Sequence, residues 1–179
     1  TEGSPMLTEL VALLSGLKVY ITKLSQKGIQ ECREICGGFG YSAYNRFGEF
    51  FSNNDVYLSK DGDNNVIIQQ VGKFLIDNFI DLKGGKTNQF GSLYFLKAEE
   101  PHIHSGKNHD SPFSQSKYDI KKAFEFRVNY LINETLTRMQ KMRIKASLQE
   151  AWTQINVHIL KGACYAFIEL YILNSFRQS

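Results

Sequence analysis

The strongest constraint on this chain is a helical spacing of apolar residues that begins near its first residue. Apolar side chains step by three and four positions, at Leu7, Leu10, Leu14, Leu17, Ile21 and Leu24. This spacing places them on one face of an α-helix. The alternation of a half-buried β-strand is missing from the sequence, and Asp55–Ser59 is the only short candidate for a strand. The sequence therefore predicts an all-α fold.

Capping signals place the other helices. Gly37 and Gly38 follow the first helix, and a glycine pair in that position typically ends one. Asp63 is placed to cap a second helix. Two long helices are predicted later in the chain, from about Lys117 to Lys141 and for about 28 residues from Leu148. Long helices joined by a short connection favour an antiparallel bundle.

Shorter features complete the predicted organisation. Residues 53–55 (NND) indicate a loop, and residues 93–96 could form one short helix. Ser116–Asp119 and Ser147–Glu150 have the spacing of capping boxes. Glycine and proline recur between residues 84 and 112. We therefore expect a helical unit over residues 1–82, a loop-rich linker over 83–117, and the start of a truncated helical bundle over 118–179.

Composition limits the classes of function. The net charge is +3, with lysine and arginine dispersed along the chain, which does not favour nucleic-acid binding. No run of eighteen apolar residues occurs, so no membrane span is predicted. The N-terminus lacks the pattern of a secretory signal, and its abrupt start indicates a fragment. Cys32, Cys36 and Cys164 lie within helical patterns, which indicates buried thiols in a reducing compartment.

Two polar turns interrupt the helices and carry most of the chemistry. The glycine turn, GGFGY, covers residues 37–41, and the acid turn, DGDNN, covers residues 61–65. A glycine pair can end a helix, but it also lets a backbone approach a ligand closely. The acid turn can cap a helix, or it can hold a carboxylate beside helix-terminal N–H groups. Both interpretations stay open at this point.

No metal site is predicted. The acid turn has Asp61, Asp63 and Asn65 at positions one, three and five of a calcium loop, but Val66 and Gly72 stand where that loop needs glycine and glutamate. The histidines of the linker, His102, His104 and His109, have no evident fourth ligand. Cys32 and Cys36 share a helix face, but no second cysteine pair exists to complete a zinc site.

The order and flanks of the two turns resemble the flavin-dependent acyl-CoA oxidase family. Residues 31–41, ECREICGGFGY, are similar to that family's ECRxACGGxGY. Residues 59–66, SKDGDNNV, are similar to its T-x-E-G-(D/E)-N-x-V, which opens a helix. The upstream LTELVALLSGLK and the downstream GSLYFL and EAW segments also match in order. The resemblance implies the C-terminal helical-bundle domains of the acyl-CoA dehydrogenase and oxidase superfamily.

The resemblance also implies a reaction. In the family, a glutamate removes the α-proton of an acyl-CoA, flavin accepts the β-hydride, and oxygen becomes hydrogen peroxide. The catalytic position corresponds to Asp61, and the expected flavin contacts to Gly37, Gly38, Asp63 and Asn65. The implied cofactor is FAD, the substrates are acyl-CoA and molecular oxygen, and the assembly is a homodimer. The implied compartment is the peroxisome, although no targeting signal is visible.

Asp61 departs from the family pattern, which has glutamate there. Aspartate is one methylene shorter, so its oxygens retract by roughly 1.5 Å. A misplacement near 1 Å can lower a rate about a hundredfold. Three interpretations follow: an enzyme whose backbone has shifted to suit aspartate, a slow enzyme, or a protein without catalysis. The last corresponds to an alternative function, a helical module with a structural or interaction role.

Overall fold

The computed structural model describes residues 4–87, 90–96, 117–144, 147–155 and 159–178. These residues contain no β-strand. Short 3-10 turns link several helices, at Gly37–Tyr41, Ala43–Asn45, Val56–Leu58 and Gly91–Leu93. The α-helices are α1 (Pro5–Ile35), α2 (Phe47–Asp55), α3 (Asn64–Lys83), α4 (Lys117–Arg143), α5 (Leu148–Ile155) and α6 (Lys161–Gln178). The predicted all-α class is confirmed.

Helices α1 and α3 pack antiparallel. Ser15 of α1 lies 3.5 Å from Gln70 of α3, and Lys18, one turn later, contacts Asn64 at the start of α3. Helix α6 packs against both of them and against α4. One continuous core joins these helices, and its largest fully buried side chains include Leu75, Phe79, Val128, Ile132, Leu160, Phe167 and Ile168.

Helix α1 is confirmed, but it does not bury its leucine face. Its buried residues are Ala12, Gly16 and Val19. A Cβ at Gly16 would overlap the side chain of Ile168, so glycine is what lets α1 approach α6 closely. Five of the six periodic apolar residues are instead 48–58% exposed, at Leu7, Leu10, Leu14, Ile21 and Leu24, whereas Leu17 is partly buried against the core. The spacing identified the helix correctly, but not the face that packs inside this chain.

The length and hydropathy of α1 also bear on membrane binding. This helix is long and apolar enough to cross a membrane, with a mean hydropathy of 1.3 over its most apolar window. Only 17% of that window is buried. A single helix of this kind is weak evidence, because core helices of soluble proteins meet the same test. The absence of a membrane span stays a prediction.

Two local predictions between α1 and α3 are wrong. Residues 53–55 are not a loop but the last turn of α2. Asn54 donates a hydrogen bond to the carbonyl oxygen of Thr22 at 3.3 Å, and Gln26 donates to Asp55 at 2.7 Å, so contacts with α1 hold these polar residues in the helix. The strand candidate Asp55–Ser59 is helical too, because Val56–Leu58 form a 3-10 turn.

The prediction of buried thiols is correct for one cysteine of three. Cys164 is fully buried in α6, and burial raises the pKa of its thiol to about 12. Cys32 and Cys36 are exposed. These two residues lie at the C-terminal end of α1, beyond the part of the helix whose buried residues end at Val19. Helical periodicity alone could not distinguish the packed part of α1 from its free end.

The second half of the chain is helical where helices were predicted, but the described residues after Leu148 form two helices, α5 and α6. Residues 156–158 lie outside the described residues, so a single helix of about 28 residues stays a prediction. Helix α4 begins at Lys117, and the capping box before α5 is confirmed: the Ser147 N–H donates to Glu150 at 2.9 Å and the Glu150 N–H donates back at 3.3 Å. The short helix predicted at residues 93–96 is a 3-10 turn that starts earlier, at Gly91. The capping box Ser116–Asp119 and the three linker histidines lie outside the described residues and side chains.

Candidate functional site

The glycine turn folds back on the end of α1. Helix α1 ends at Ile35, and Gly37 has a φ of +55°, a left-handed conformation that favours glycine. Gly40 is buried, and a Cβ there would overlap the carbonyl oxygen of Arg33. The Arg33 guanidinium lies 4.7 Å from the centre of the Tyr41 ring. The turn therefore packs against the end of α1 through Gly40, while the Tyr41 ring contacts Arg33 at the surface.

The other side of the glycine turn is open. Gly37 and Gly38 are exposed, and a Cβ built on either would meet nothing within 4 Å. Phe39, Tyr41 and Tyr44 are 63–92% exposed beside them. Backbone of this kind can be approached closely by a ligand, and aromatic rings can stack on a flat one.

The acid turn has an unusual backbone. Asp61 has a φ of +57° and Gly62 a φ of +107°, so two consecutive residues are left-handed. Aspartate is one of the few residues with a side chain that visits this region readily. A side chain at Gly62 would be strained by this φ, and its Cβ would also overlap the Ile67 side chain. Asp61 itself is exposed at the surface of this turn.

Asp63 and Asn65 begin α3 as the sequence predicts. Asp63 is the N-cap residue, and its Oδ1 accepts a hydrogen bond from the Asn65 N–H at 2.8 Å. The Asn65 side chain is also engaged, because its Oδ1 accepts from Lys161 Nζ of α6 at 2.9 Å. The capping role of Asp63 is therefore confirmed, and α6 holds the first turn of α3 from a second direction.

The sequence interpretation missed a polar network beneath the acid turn. Lys18 Nζ donates to the Gly62 carbonyl oxygen and to Asn64 Oδ1, both at 2.7 Å. Asn64 is only 2% exposed, and its amide nitrogen donates to Thr22 Oγ1 at 2.9 Å. Lys18 and Thr22 are four residues apart, so they lie on the same face of α1. A lysine and a threonine on one face of an otherwise apolar helix were the signal from which this network could have been predicted.

The two turns do not meet. The acid turn contacts α1 at Lys18 and Thr22, whereas the glycine turn lies beyond Ile35. Thirteen residues of helix separate Thr22 from Ile35, which corresponds to about 20 Å along the axis at ~1.5 Å per residue. The candidate site residues therefore form two groups: Gly37 and Gly38 at one end of α1, and Asp61, Asp63 and Asn65 near its middle.

A second polar cluster lies away from both turns. The Tyr94 hydroxyl donates to Glu125 and accepts from Asn174, each at 2.8 Å, while Lys121 lies 4.5 Å from the centre of its ring. Burial and the Glu125 carboxylate raise the pKa of Tyr94, so its hydroxyl stays protonated near neutral pH. These contacts tie the segment at residues 91–96 to α4 and α6. In the described part of the chain, no group of three or more possible metal ligands is found.

Comparison with known proteins extends the motif match. Residues 1–76 match the family model described as the acyl-CoA oxidase C-alpha1 domain. Over 95% of its length the chain is 32% identical to human peroxisomal acyl-coenzyme A oxidase 3, and over 98% it is 29% identical to peroxisomal acyl-coenzyme A oxidase 2 of Arabidopsis thaliana. The chain spans about a quarter of the length of these curated relatives, 25% and 26% respectively.

Solved structures share the fold. A crystal structure of acyl-CoA oxidase-2 from Caenorhabditis elegans, bound with FAD, ascaroside-CoA and ATP, matches 98% of this chain with a TM-score of 0.83 at 24% identity. The matched part is 26% of that protein. Sequence and fold thus confirm the resemblance that the two turns predicted: residues 1–76 carry an acyl-CoA oxidase C-alpha1 domain, and the described helices share the fold of the C-terminal helical region of acyl-CoA oxidases.

Proposed function

We propose that this chain is the C-terminal helical region of an FAD-dependent acyl-CoA oxidase and supplies its catalytic carboxylate, Asp61. The observation that carries the proposal is the construction of the acid turn. An exposed carboxylate stands on a left-handed backbone, and residues next to it are held by α1 and α6. A fixed carboxylate at the surface of a rigid support is what removal of a substrate proton needs.

The reaction assigns separate tasks to the chain and to the cofactor. The Asp61 carboxylate takes the α-proton of the acyl-CoA, and the Asp61 backbone N–H donates to the thioester carbonyl oxygen, where negative charge develops. Loss of the α-proton and the β-hydride converts the acyl-CoA into a 2-enoyl-CoA. Bound FAD would supply the hydride acceptor, and transfer of its two electrons with two protons to molecular oxygen would give hydrogen peroxide. The substrate class and FAD are also named for the Caenorhabditis elegans relative.

The residues of the chain fit a flavin contact. The exposed backbone at Gly37 and Gly38 leaves room for a dinucleotide to approach. Asp63 Oδ1 and Asn65 Oδ1 are already used within the fold, so the proposed flavin contacts of these residues fall to Asp63 Oδ2 and Asn65 Nδ2. The separation of about 20 Å along α1 between Thr22, beneath the acid turn, and Ile35, before the glycine turn, at ~1.5 Å per residue, fits a homodimer in which the glycine turn serves the flavin of the partner subunit.

The backbone at Asp61 favours an enzyme adapted to aspartate over a slow or inactive one. A left-handed φ of +57° is accessible to aspartate at little cost, whereas the longer glutamate side chain lacks the same local hydrogen bonding. The shorter carboxylate is then matched by a shifted backbone. Because the relatives compared have peroxisomal names, we also propose a peroxisomal location. The division at residues 82 and 118 stays a prediction.

The test is peroxide release from acyl-CoA by the flavin-loaded protein that carries this chain. Asp61→Asn keeps the size of the side chain but removes the base, and we expect turnover per bound flavin to fall by at least ~100-fold. Asp61→Glu pushes the carboxylate about 1.5 Å outward, and we expect a loss of roughly tenfold or more. Asp81→Asn, an exposed carboxylate near the far end of α3, is the matched control and should leave turnover unchanged.

The three interpretations of Asp61 give different outcomes. A gain of activity in Asp61→Glu would identify a slow enzyme rather than an adapted one. Equal peroxide release from the wild type and Asp61→Asn would reject the catalytic role. That result would favour the alternative, a helical module with a structural or interaction role, for which the exposed leucine face of α1 is the supporting observation.

A further inference from the structure

The acid turn is anchored by a lysine from another helix. Lys18 Nζ, on α1, donates at 2.7 Å to two oxygens of the turn, the Gly62 carbonyl and Asn64 Oδ1. Asn64 is buried, and its amide nitrogen donates to Thr22 Oγ1. The Thr22 hydroxyl in turn donates to the Lys18 carbonyl oxygen at 2.8 Å. The network therefore begins and ends on α1, with the acid turn held in between.

The stability of α3 does not explain why Lys18 binds at the start of that helix. The N-terminus of a helix carries a partial positive charge, so a cation beside the start of α3 is electrostatically unfavourable. Asp63 already caps that helix through the Asn65 N–H. Lys18 donates to the carbonyl oxygen of Gly62, which directly follows Asp61, and to the side chain of Asn64, the first residue of α3. Its contacts are those of a group that fixes the path of the turn.

The path of the turn decides where Asp61 points. Asp61 and Gly62 are both left-handed, and the next residue, Asp63, returns to an extended φ of −62° with ψ of 132°. A sharp reversal of this kind has few internal contacts to hold it. Lys18 fixes it one residue after Asp61, and the Asp63 cap fixes it two residues after. Lys18 binds the carbonyl of the Gly62–Asp63 peptide. Without Lys18, this peptide could rotate and shift Asp61, which directly precedes Gly62.

We propose that Lys18 is a positioning residue for Asp61. This inference rests on the proposed function. It assigns to Lys18 the task of keeping the Asp61 carboxylate and backbone N–H at the spacing that an acyl-CoA thioester needs. Lys18 acts through the Gly62 carbonyl and does not touch the substrate. Misplacement of a reacting group by about 1 Å costs up to a hundredfold in rate, so an anchor of this kind has a large kinetic effect.

The test is a double-mutant cycle in the flavin-loaded protein, with turnover expressed per bound flavin. Lys18→Met removes the donor and should lower kcat by roughly 10- to 100-fold, with a smaller change in KM. Lys18→Arg restores a donor and should recover part of the loss. Lys23→Met, on the same helix, is the matched control; Lys23 lies 5.5 Å from the centre of the Tyr165 ring and should leave turnover unchanged.

The decisive measurement is Lys18→Met in the Asp61→Asn background. If Lys18 acts through Asp61, the second substitution has no further effect on kcat, because there is no base left to position. A purely structural lysine would lower the melting temperature and the flavin content, but turnover per bound flavin would stay within about twofold of wild type. That result, or full additivity in the cycle, would overturn the inference.

Failure of the inference and failure of the proposed function give different results. If Asp61→Asn loses activity while Lys18→Met retains it, Asp61 is the base and Lys18 does not position it. If Asp61→Asn and the wild type behave alike, the proposed function is wrong and the positioning role is rejected with it. Loss in both single variants without further loss in the double variant supports both statements.

Discussion

The two turns of this chain differ in how the rest of the molecule holds them. The acid turn is fixed from two helices: Lys18 and Thr22 of α1 bind beneath it, and Lys161 of α6 binds at its end. The glycine turn is packed through Gly40 and Tyr41, while Gly37 faces open space. The acid turn is held by side chains from two helices, and the glycine turn leaves the backbone of its leading glycines accessible.

This difference suits two different tasks. A group that takes a proton must hold its position within a fraction of an ångström. A backbone that contacts a cofactor needs access, and its N–H groups must not be covered by side chains. Substitutions in the acid turn should therefore affect turnover most, and substitutions in the glycine turn should affect flavin binding most.

The largest effect is expected for Gly62→Ala. The new Cβ would overlap the Ile67 side chain, and the φ of +107° is unfavourable for any residue other than glycine. We expect the free energy of unfolding to fall by about 2 kcal/mol and turnover per bound flavin by roughly 100-fold. Thermal unfolding measures the loss of stability, and single-turnover kinetics measure the loss of turnover. Normal turnover in Gly62→Ala would show that the acid turn tolerates movement, and the comparison of the two turns would fail.

A smaller effect is expected in the glycine turn. Substitutions at its two leading glycines distinguish the cost of backbone strain from the loss of access for the flavin. Gly37→Ala places alanine at a φ of +55° and should cost about 1 kcal/mol of stability. Gly38→Ala has no such strain and should change stability by a few tenths of a kcal/mol. Both should weaken FAD affinity, measured by titration of the apoprotein, with turnover of the loaded protein nearly unchanged. Unchanged FAD affinity in Gly38→Ala would remove the glycine turn from the flavin site.

Local signals were sufficient to predict most of the helices and two of their caps. The all-α class, the cap at Asp63 and the capping box of Ser147 and Glu150 depend on residues within a few positions of each other, and each was predicted correctly. The order of the glycine and acid turns was sufficient to predict the family. These features need no knowledge of what packs against them.

Features that depend on distant contacts could not be predicted. Residues 53–55 are helical because Thr22 and Gln26 of α1 bind their side chains, and a loop signal cannot register a partner about thirty positions away. The buried face of α1 is set by Gly16, whose missing side chain admits Ile168. A periodicity argument expects the helix face with the most apolar residues to be buried, so it predicted burial of the leucine face. The contact of Lys18 with the acid turn could not be predicted either, because its partner Gly62 lies 44 positions away in the sequence.

The smallest effect is expected at the cap of α5, which serves as a reference outside both turns. Hydrogen bonds from the Ser147 N–H and hydroxyl lower the pKa of Glu150. Because the folded pKa lies below the unfolded one, the cap stabilises the fold fully above the ordinary glutamate pKa of about 4.3, and this contribution is lost as pH falls through the folded pKa. Glu150→Gln should therefore be slightly less stable than wild type at neutral pH, and the difference should shrink in acid. Turnover per bound flavin should not change at any pH, because the cap is far along the chain from the acid turn. A change in turnover would show that stability alone alters catalysis here, and the kinetic losses at Gly62 and Lys18 would then need the same explanation.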